Sequence, residues 1–530
     1  MEETSRPFYD GVVSSIEAVI NAVFTVFFWF PDSWPAWVKL GIIIIIVALC
    51  YHYSHYIAKA ALWLVIGLPM SFLRRLRLLS SSPFGRAKWA KLRDLRREGL
   101  TKPGGLFLGR WKRTDLHHHG EGHFITIAAP GGGKTSAALI PSLLISEAGS
   151  FIVTDPKGEI TAITRRYRQT CGQVVYLNPF FEDFEKGTGL TYPDTGFNPF
   201  DMLVDSPNLR AQADNFARLL CVTDRKESGS YFQDEGAELL SLFITWIARY
   251  EVPENRNLSY LYELVRNQPK QVFDFMDYVD DPLIGFDAMR FADMVKTAPA
   301  QWTGAISKAQ LATKRYIPTT PLGNHTSKNG FNPTSLKRED VTVYILLPSE
   351  HIQTGAPWLN MVIGMLGEAV GRPGAARPVT FLLDELPALG YLPDLRTQMR
   401  QYRAAGLRMW LFSQTTAALS DPAMYGQEGL KDLFGLCDTK QFFAVREYPV
   451  AAEISRMCGE KARINQSQQV KSESFSTVGV PLIRPEEIIK LKKNEQILIR
   501  RGLPIRAKLV PYFTRIGWRT KADKNPYMVG

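Results

Sequence analysis

At 530 residues the chain is too long for a single hydrophobic core and implies two or three domains. Its 45% hydrophobic and 22% charged content is that of an ordinary folded protein and excludes a disordered or fibrous one. Five scattered cysteines (Cys50, Cys171, Cys221, Cys437, Cys458) without a C-x-x-C argue against a disulfide framework or a zinc site and fit a reducing compartment.

In chain order, the first feature is apolar. Val12 to Phe30 is followed by a short Pro31 to Trp37 link and a second run that opens at Val38 and contains Ile42 to Ile46. Each approaches the ~20 residues a membrane helix needs, and Trp29, Trp34 and Trp37 cluster at the junction, where indole rings favour the headgroup layer. The pattern predicts a membrane hairpin, with Glu17 snorkelling to the near interface. A third stretch, Ala60 to Leu73, leaves the count between two and three spans. No small-residue cleavage site follows the first run, which therefore reads as an anchor.

Charge is concentrated next. From Arg74 to Arg113 thirteen Lys or Arg face two acids, Asp94 and Glu98, a surplus equal to the +11 of the whole chain. A basic block after membrane spans marks the cytoplasmic side, with anionic lipid headgroups the preferred partner and nucleic acid the alternative. His117, His118 and His119 lack i, i+4 spacing and read as a polar loop.

Ala128 to Thr135 then matches a phosphate-binding P-loop at every position but the first, where Ala128 replaces Gly. A strand-like run, Phe124 to Ala129, leads in, and a helix-like run, Ser136 to Leu144, leads out. Pro130, Gly131, Gly132, Gly133, Lys134, Thr135 and Ser136 form the candidate cradle for ATP. The glycines let backbone N–H groups curl around phosphate, Lys134 reaches the β and γ phosphates, and the Thr135 hydroxyl ligates Mg²⁺.

Strands follow at Phe151 to Thr154, closed by Asp155-Pro156-Lys157-Gly158-Glu159, and at Val174 to Leu177. From about Asp205 to Pro318 the pattern is helical, as in Glu238 to Tyr250, whose Leu239, Leu242, Phe243, Trp246 and Tyr250 share a face. Strands return at Val341 to Leu347, Val379 to Leu383, Leu407 to Ser413 and Gln441 to Val445. The second of these ends in Asp384-Glu385, the form of a buried parallel strand delivering two carboxylates: Asp384 for the metal and its water shell, Glu385 to orient and deprotonate an attacking water. Far more residues separate Lys134 from Asp384 than a few βα units need, so an all-helical insertion interrupts the nucleotide domain. Asn465 to Val478, rich in Ser and Gln, reads as a surface loop.

This ordered set resembles the type IV coupling proteins of bacterial conjugation and type IV secretion: the apolar hairpin, Ala129-Pro130 to Lys134-Thr135, Asp155 to Glu159, a helical insertion opening near Tyr231-Phe232, Leu383-Asp384-Glu385-Leu386-Pro387, and Ser413-Gln414. The resemblance implies an α/β, RecA-like P-loop domain (114–204 and 319–530) with an inserted all-helical domain (205–318), an N-terminal transmembrane hairpin (1–73) and a basic juxtamembrane linker (74–113). It further implies an ATP hydrolase of the bacterial inner membrane that acts as a homo-hexamer and passes relaxase–DNA substrates to the channel proteins of type IV secretion. Gln414 matches a γ-phosphate-sensing glutamine. Arg403 matches an arginine that reaches a neighbouring subunit's nucleotide, with Arg400 and Arg408 as rivals. Two features depart from the pattern: the Pro31 to Trp37 link is very short, and no acidic run lies in Lys521 to Gly530, so recruitment through an acidic tail is not expected. Export of protein effectors alone, double-stranded DNA pumping, and an adaptor with weak ATPase remain alternatives.

Overall fold

The computed structural model describes residues 31, 33–45, 48, 85–221, 231–267, 270–374, 377–469 and 472–527. It divides into two compact units, Met1–Gly85 with Ala462–Val480, and Arg86–Lys461 with Pro481–Gly530.

The second unit is built on one sheet. Its strands are β1 (Leu106–Trp111), β2 (Thr114–His118), β3 (His123–Ala128), β4 (Ser150–Thr154), β5 (Gln173–Leu177), β6 (Val341–Ile345), β7 (Val379–Leu383), β8 (Leu407–Ser413) and β9 (Cys437–Phe443). Beyond a separate two-stranded sheet of β10 (Glu460–Gln469) and β11 (Ser472–Pro481), β12 (Glu495–Arg500) and β13 (Leu503–Lys508) complete it. The order is β2-β1-β13-β12-β9-β3-β8-β7-β4-β6-β5. From β9 to β5 every pairing is parallel, whereas β12, β13, β1 and β2 join antiparallel beyond β9.

Helical crossovers between parallel strands cover both faces, which is why β4, β6, β7 and β8 are buried along their whole length and read as near-continuous apolar runs. One face packs Ile125, Ile127 and Ile152 into a core continuous with Leu239, Phe243 and Phe291 of the long helical stretch between β5 and β6. The other packs Phe124, Val153, Leu382 and Trp410 against Leu139 and Leu143. Close approach is decisive on helix Ile352–Gly371: a Cβ at Gly364 would lie 2.7 Å from the Leu219 side chain.

A buried polar chain crosses the middle of the sheet. Trp410 Nε1 donates to Thr126 Oγ1 (2.8 Å), which donates to Gln441 Oε1 (2.7 Å). Gln441 Nε2 donates to Gln496 Oε1 (2.6 Å), and Gln496 Nε2 donates to the Leu108 carbonyl (2.7 Å). Five strands, β8, β3, β9, β12 and β1, are thus tied in register across the change from parallel to antiparallel pairing. A polar core chain of this kind stabilises only when each member is satisfied.

Several expectations are corrected. Among the described residues no helix is long and apolar enough to cross a membrane. The expected transmembrane hairpin, and with it the bacterial inner-membrane localisation, is therefore overturned; the runs Val12 to Phe30 and Ala60 to Leu73 lie outside the described residues. Asn465 to Val478 falls in β10 and β11, not in a loop, because Ser- and Gln-rich segments can pair where neither face needs an apolar core. Strand β1 lies within the stretch read as a basic linker, and β9 begins at Cys437, four residues before its apolar part.

Gln441→Leu should destabilise the chain by about 2–4 kcal/mol, because it leaves the Thr126 hydroxyl proton and Gln496 Oε1 buried without their partner. Paired denaturant titrations of wild type and variant measure this; an unchanged midpoint would show the polar chain to be dispensable.

Candidate functional site

The P-loop leaves β3 at the carboxyl edge of the sheet, between β8 and β9. Gly131 and Gly133 adopt left-handed backbone (φ 70° and 96°), and a Cβ on Gly132 would come within 2.9 Å of both the Ala129 carbonyl and the Ala444 methyl. Ala128, the departure from the motif, is buried in a small cluster with Ala137, Phe443 and Leu509, so its methyl points into packing under the loop. The chain then turns through a single π-helical segment, Thr135–Leu139, before helix Ile140–Ile145. Pro141 lacks the N–H that would close an ordinary turn there. Ser136 Oγ makes only a long contact to the Gly133 carbonyl (3.5 Å), within the loop itself.

Strand β7 delivers Asp384 and Glu385 to the same edge. Glu385 sits in left-handed backbone (φ 55°, ψ 57°), a conformation that costs a non-glycine residue on the order of 1 kcal/mol. The sharp turn presents its carboxylate to two donors: Lys134 Nζ and Gln414 Nε2 each lie 2.9 Å from Glu385 Oε2. Lys134 comes from the P-loop, Gln414 from the end of β8, and β8 lies between β3 and β7, so three neighbouring strands converge on one oxygen.

Asp384 is held differently. Its N–H donates to Thr154 Oγ1 (2.9 Å) from β4, while its Oδ1 is buried and accepts no hydrogen bond among the described residues. Burial first, then the Glu385 charge, pushes its carboxyl up to about 6 against the pull of Lys134. Beside it Asp155, at the end of β4, accepts from Thr161 N and Oγ1 (both 2.7 Å), and burial with the Asp384 charge raises it to about 6. A buried carboxylate oxygen without a donor, next to a P-loop threonine and lysine, fits a divalent cation carried with a nucleotide phosphate; Thr135 and Asp384 are the residues that could hold it.

The sequence pattern shows Asp155 to Glu159 as a motif but assigns no separate role to Thr154 or Asp155. A strand ending in a polar residue beside an acidic pair was the available signal. The carboxy-terminal segment also reaches this loop: Tyr527 OH donates to the Lys157 carbonyl (2.5 Å) and Asn525 Nδ2 to Glu159 Oε1 (2.7 Å).

Arg403 stands apart. It precedes β8 and therefore lies at the opposite, amino-terminal edge of the sheet, roughly 20 Å from the carboxyl end of a seven-residue strand. It is partly exposed and pairs with Asp438 (3.2 Å), which also receives Arg501 (3.2 Å). Of its rivals, Arg400 pairs with Asp432 at 2.5 Å near the surface, and Arg408 is buried within its own protomer.

A profile of the family described as type IV secretory system conjugative DNA transfer matches residues 88–529. The chain belongs to this family. It is 26% identical over 436 residues to the coupling protein VirD4 of Bartonella quintana, covering 77% of this chain and 65% of that one. Over 453 residues it is 23% identical to VirD4 of Agrobacterium fabrum, covering 81% and 66%. It thus spans slightly under two thirds of the length of these relatives. Among solved structures, the conjugative coupling protein TrwBdeltaN70 superposes with a TM-score of 0.60 at 15% identity, over 82% of this chain and 96% of that one. TrwB has also been solved with ADP and Mg²⁺, matching with a TM-score of 0.58 at 15% identity over 81% and 96%. These structural likenesses establish the shared mixed α/β motor fold.

An acid whose folded pKa is raised binds protons more tightly folded than unfolded, so its burial opposes stability above that pKa, and stability recovers as pH falls through about 6. Asp384→Asn should therefore raise the melting temperature of the nucleotide-free protein at pH 7, by up to about 3 kcal/mol of stability for a shift from 3.8 to about 6, while abolishing Mg²⁺-dependent turnover. Thermal melts in chelator alongside turnover assays test both halves; a lower melting temperature would refute the electrostatic account.

Proposed function

We propose that the chain is a type IV secretion coupling ATPase that binds ATP with Mg²⁺ and drives relaxase–DNA substrates to a secretion channel. The observation that carries this reading is the convergence of Lys134 and Gln414 on Glu385 Oε2, in a chain whose family match runs over residues 88–529. TrwB, which shares the fold, binds ADP with Mg²⁺ and an ATP analogue.

In this reading Pro130 to Ser136 cradle the phosphates and Lys134 neutralises charge on the transferred group. Glu385 orients the attacking water and accepts its proton, and the Gln414 amide holds that carboxylate in place and registers the γ-phosphate. Thr135 and Asp384 hold Mg²⁺, which when bound supplies positive charge to the phosphate oxygens. Arg403 cannot reach the nucleotide of its own protomer, which supports a ring, proposed as a homo-hexamer, in which it acts on the neighbour's site. The helical segment 205–318 is assigned as an insertion between the two halves of the nucleotide domain, 114–204 and 319–530. Exposed Lys88, Lys91, Arg93, Arg96 and Arg97 around helix Leu92–Arg97 offer cationic surface to DNA phosphates.

Lys134→Ala should lose nucleotide binding or turnover, whereas Glu385→Gln should bind ATP yet turn over at least about a hundredfold more slowly. Arg403→Ala should bind ATP and lose turnover by about 10³, with partial recovery on mixing with Glu385→Gln subunits. Full turnover by Arg403→Ala alone would remove it from the mechanism.

Single- or double-stranded DNA added to the turnover assay tests the substrate. Stimulation by DNA supports conjugative transfer, and its absence would favour export of protein effectors. Neutralising Arg93, Arg96 and Arg97 together should weaken DNA binding and reduce the slope of log affinity against log salt concentration by about one per lost phosphate contact.

A further inference from the structure

At the amino-terminal edge of the sheet, across from the nucleotide, lies a cavity of about 550 Å³ whose lining includes Gly104, Gly105, His118, Glu147, Ala148 and Arg408. Arg408, at the start of β8, is only 8% exposed, yet its guanidinium makes no salt bridge or hydrogen bond among the described residues, and its Nε is buried without a partner. Burial pushes it down to about 10, so it stays charged at neutral pH. His118, 1% exposed on β2, likewise has a buried Nε2 without an acceptor or donor. Burial, reinforced by the charges of Arg500 and Arg408, drives this imidazole down to about 2, leaving it a neutral hydrogen-bonding group. The acid acting on Arg408, Glu121, and the rim residue Glu147 are both exposed, and neither comes within ion-pair distance of it.

A largely buried guanidinium without a carboxylate partner is costly for a fold to retain unless an anion compensates it. Here the fork of Arg408 opens on a cavity whose wall at Gly105 admits no side chain, since a Cβ there would lie 2.3 Å from the His118 carbonyl. The planar fork can take two oxygens of one oxyanion, the arrangement by which arginine recognises phosphate. We propose that this cavity is an anion site in which Arg408 takes a phosphate group, separate from the P-loop.

The test uses the full-length chain carrying Lys134→Ala, which removes the P-loop lysine as a competing phosphate ligand. Titration calorimetry with inorganic phosphate at constant ionic strength should show saturable binding near one equivalent. Adding Arg408→Gln should weaken it at least tenfold. Ala148→Glu, an exposed rim change that leaves the core intact, should do the same by placing a carboxylate at the mouth, and decides the matter if Arg408→Gln does not fold. Methyl phosphate run in parallel distinguishes a site for esters, if it binds as tightly, from one for the free anion, if it is refused; either upholds the proposal. Absence of saturable binding in the Lys134→Ala chain, or binding indifferent to the Ala148→Glu change, would overturn it.

Discussion

The position of β3 governs the molecule. It carries the P-loop, and it is held between β8 and β9 by main-chain pairing and by the side-chain relay through Thr126. Parallel strands buried on both faces have few polar markers to set their register, so a satisfied polar chain discriminates against slippage where apolar contacts would tolerate it. Because β8 ends in Gln414 and its far neighbour β7 ends in Asp384 and Glu385, any slip of β3 would move Lys134 off the carboxylate it meets at 2.9 Å.

The site trades stability for function at identifiable atoms. Glu385 adopts a backbone conformation disfavoured for its residue type, and in a desolvated corner its charge raises the proton affinity of Asp384, whose charge in turn raises that of Asp155. Thr161 donates to the Asp155 carboxyl, and Thr154 holds the Asp384 main chain by accepting from its N–H. Contacts from Asn525 and Tyr527 brace the Lys157 to Glu159 loop from outside, so the carboxy-terminal segment packs beside the same corner.

The two edges of the sheet carry different electrostatics. At the carboxyl edge acids gather around one lysine and a glutamine. At the amino edge Arg403, Arg408, Arg500 and Arg501 gather around Asp438 and the neutral His118, with one carboxylate shared between Arg403 and Arg501. Parallel strands bring Arg403, Arg408 and Asp438 to one edge, since residues at their starts meet there, and antiparallel β12 returns Arg500 and Arg501 to the same edge.

The sequence by itself determined the parallel strands, the glycine loop and the acidic pair, because each depends on local chemistry: continuous apolar runs for doubly buried strands, glycine for left-handed turns, carboxylates at a strand end. The ordered motifs also sufficed to recognise the family. The strands β1, β2, β12 and β13, whose apolar runs are short or broken by charged and polar residues, and the polar β10 and β11 are not legible in the same way. The apolar amino-terminal runs suggest membrane spans through composition alone, whereas among the described residues no helix is long and apolar enough to cross a membrane. Only the tertiary structure decided that Gln414 and Lys134 meet on one oxygen of Glu385, that Thr154 braces Asp384, that Arg403 faces away from its own nucleotide site, and that Arg408 is enclosed. Each depends on strand order and on contacts between residues far apart in the chain, which local pattern does not encode.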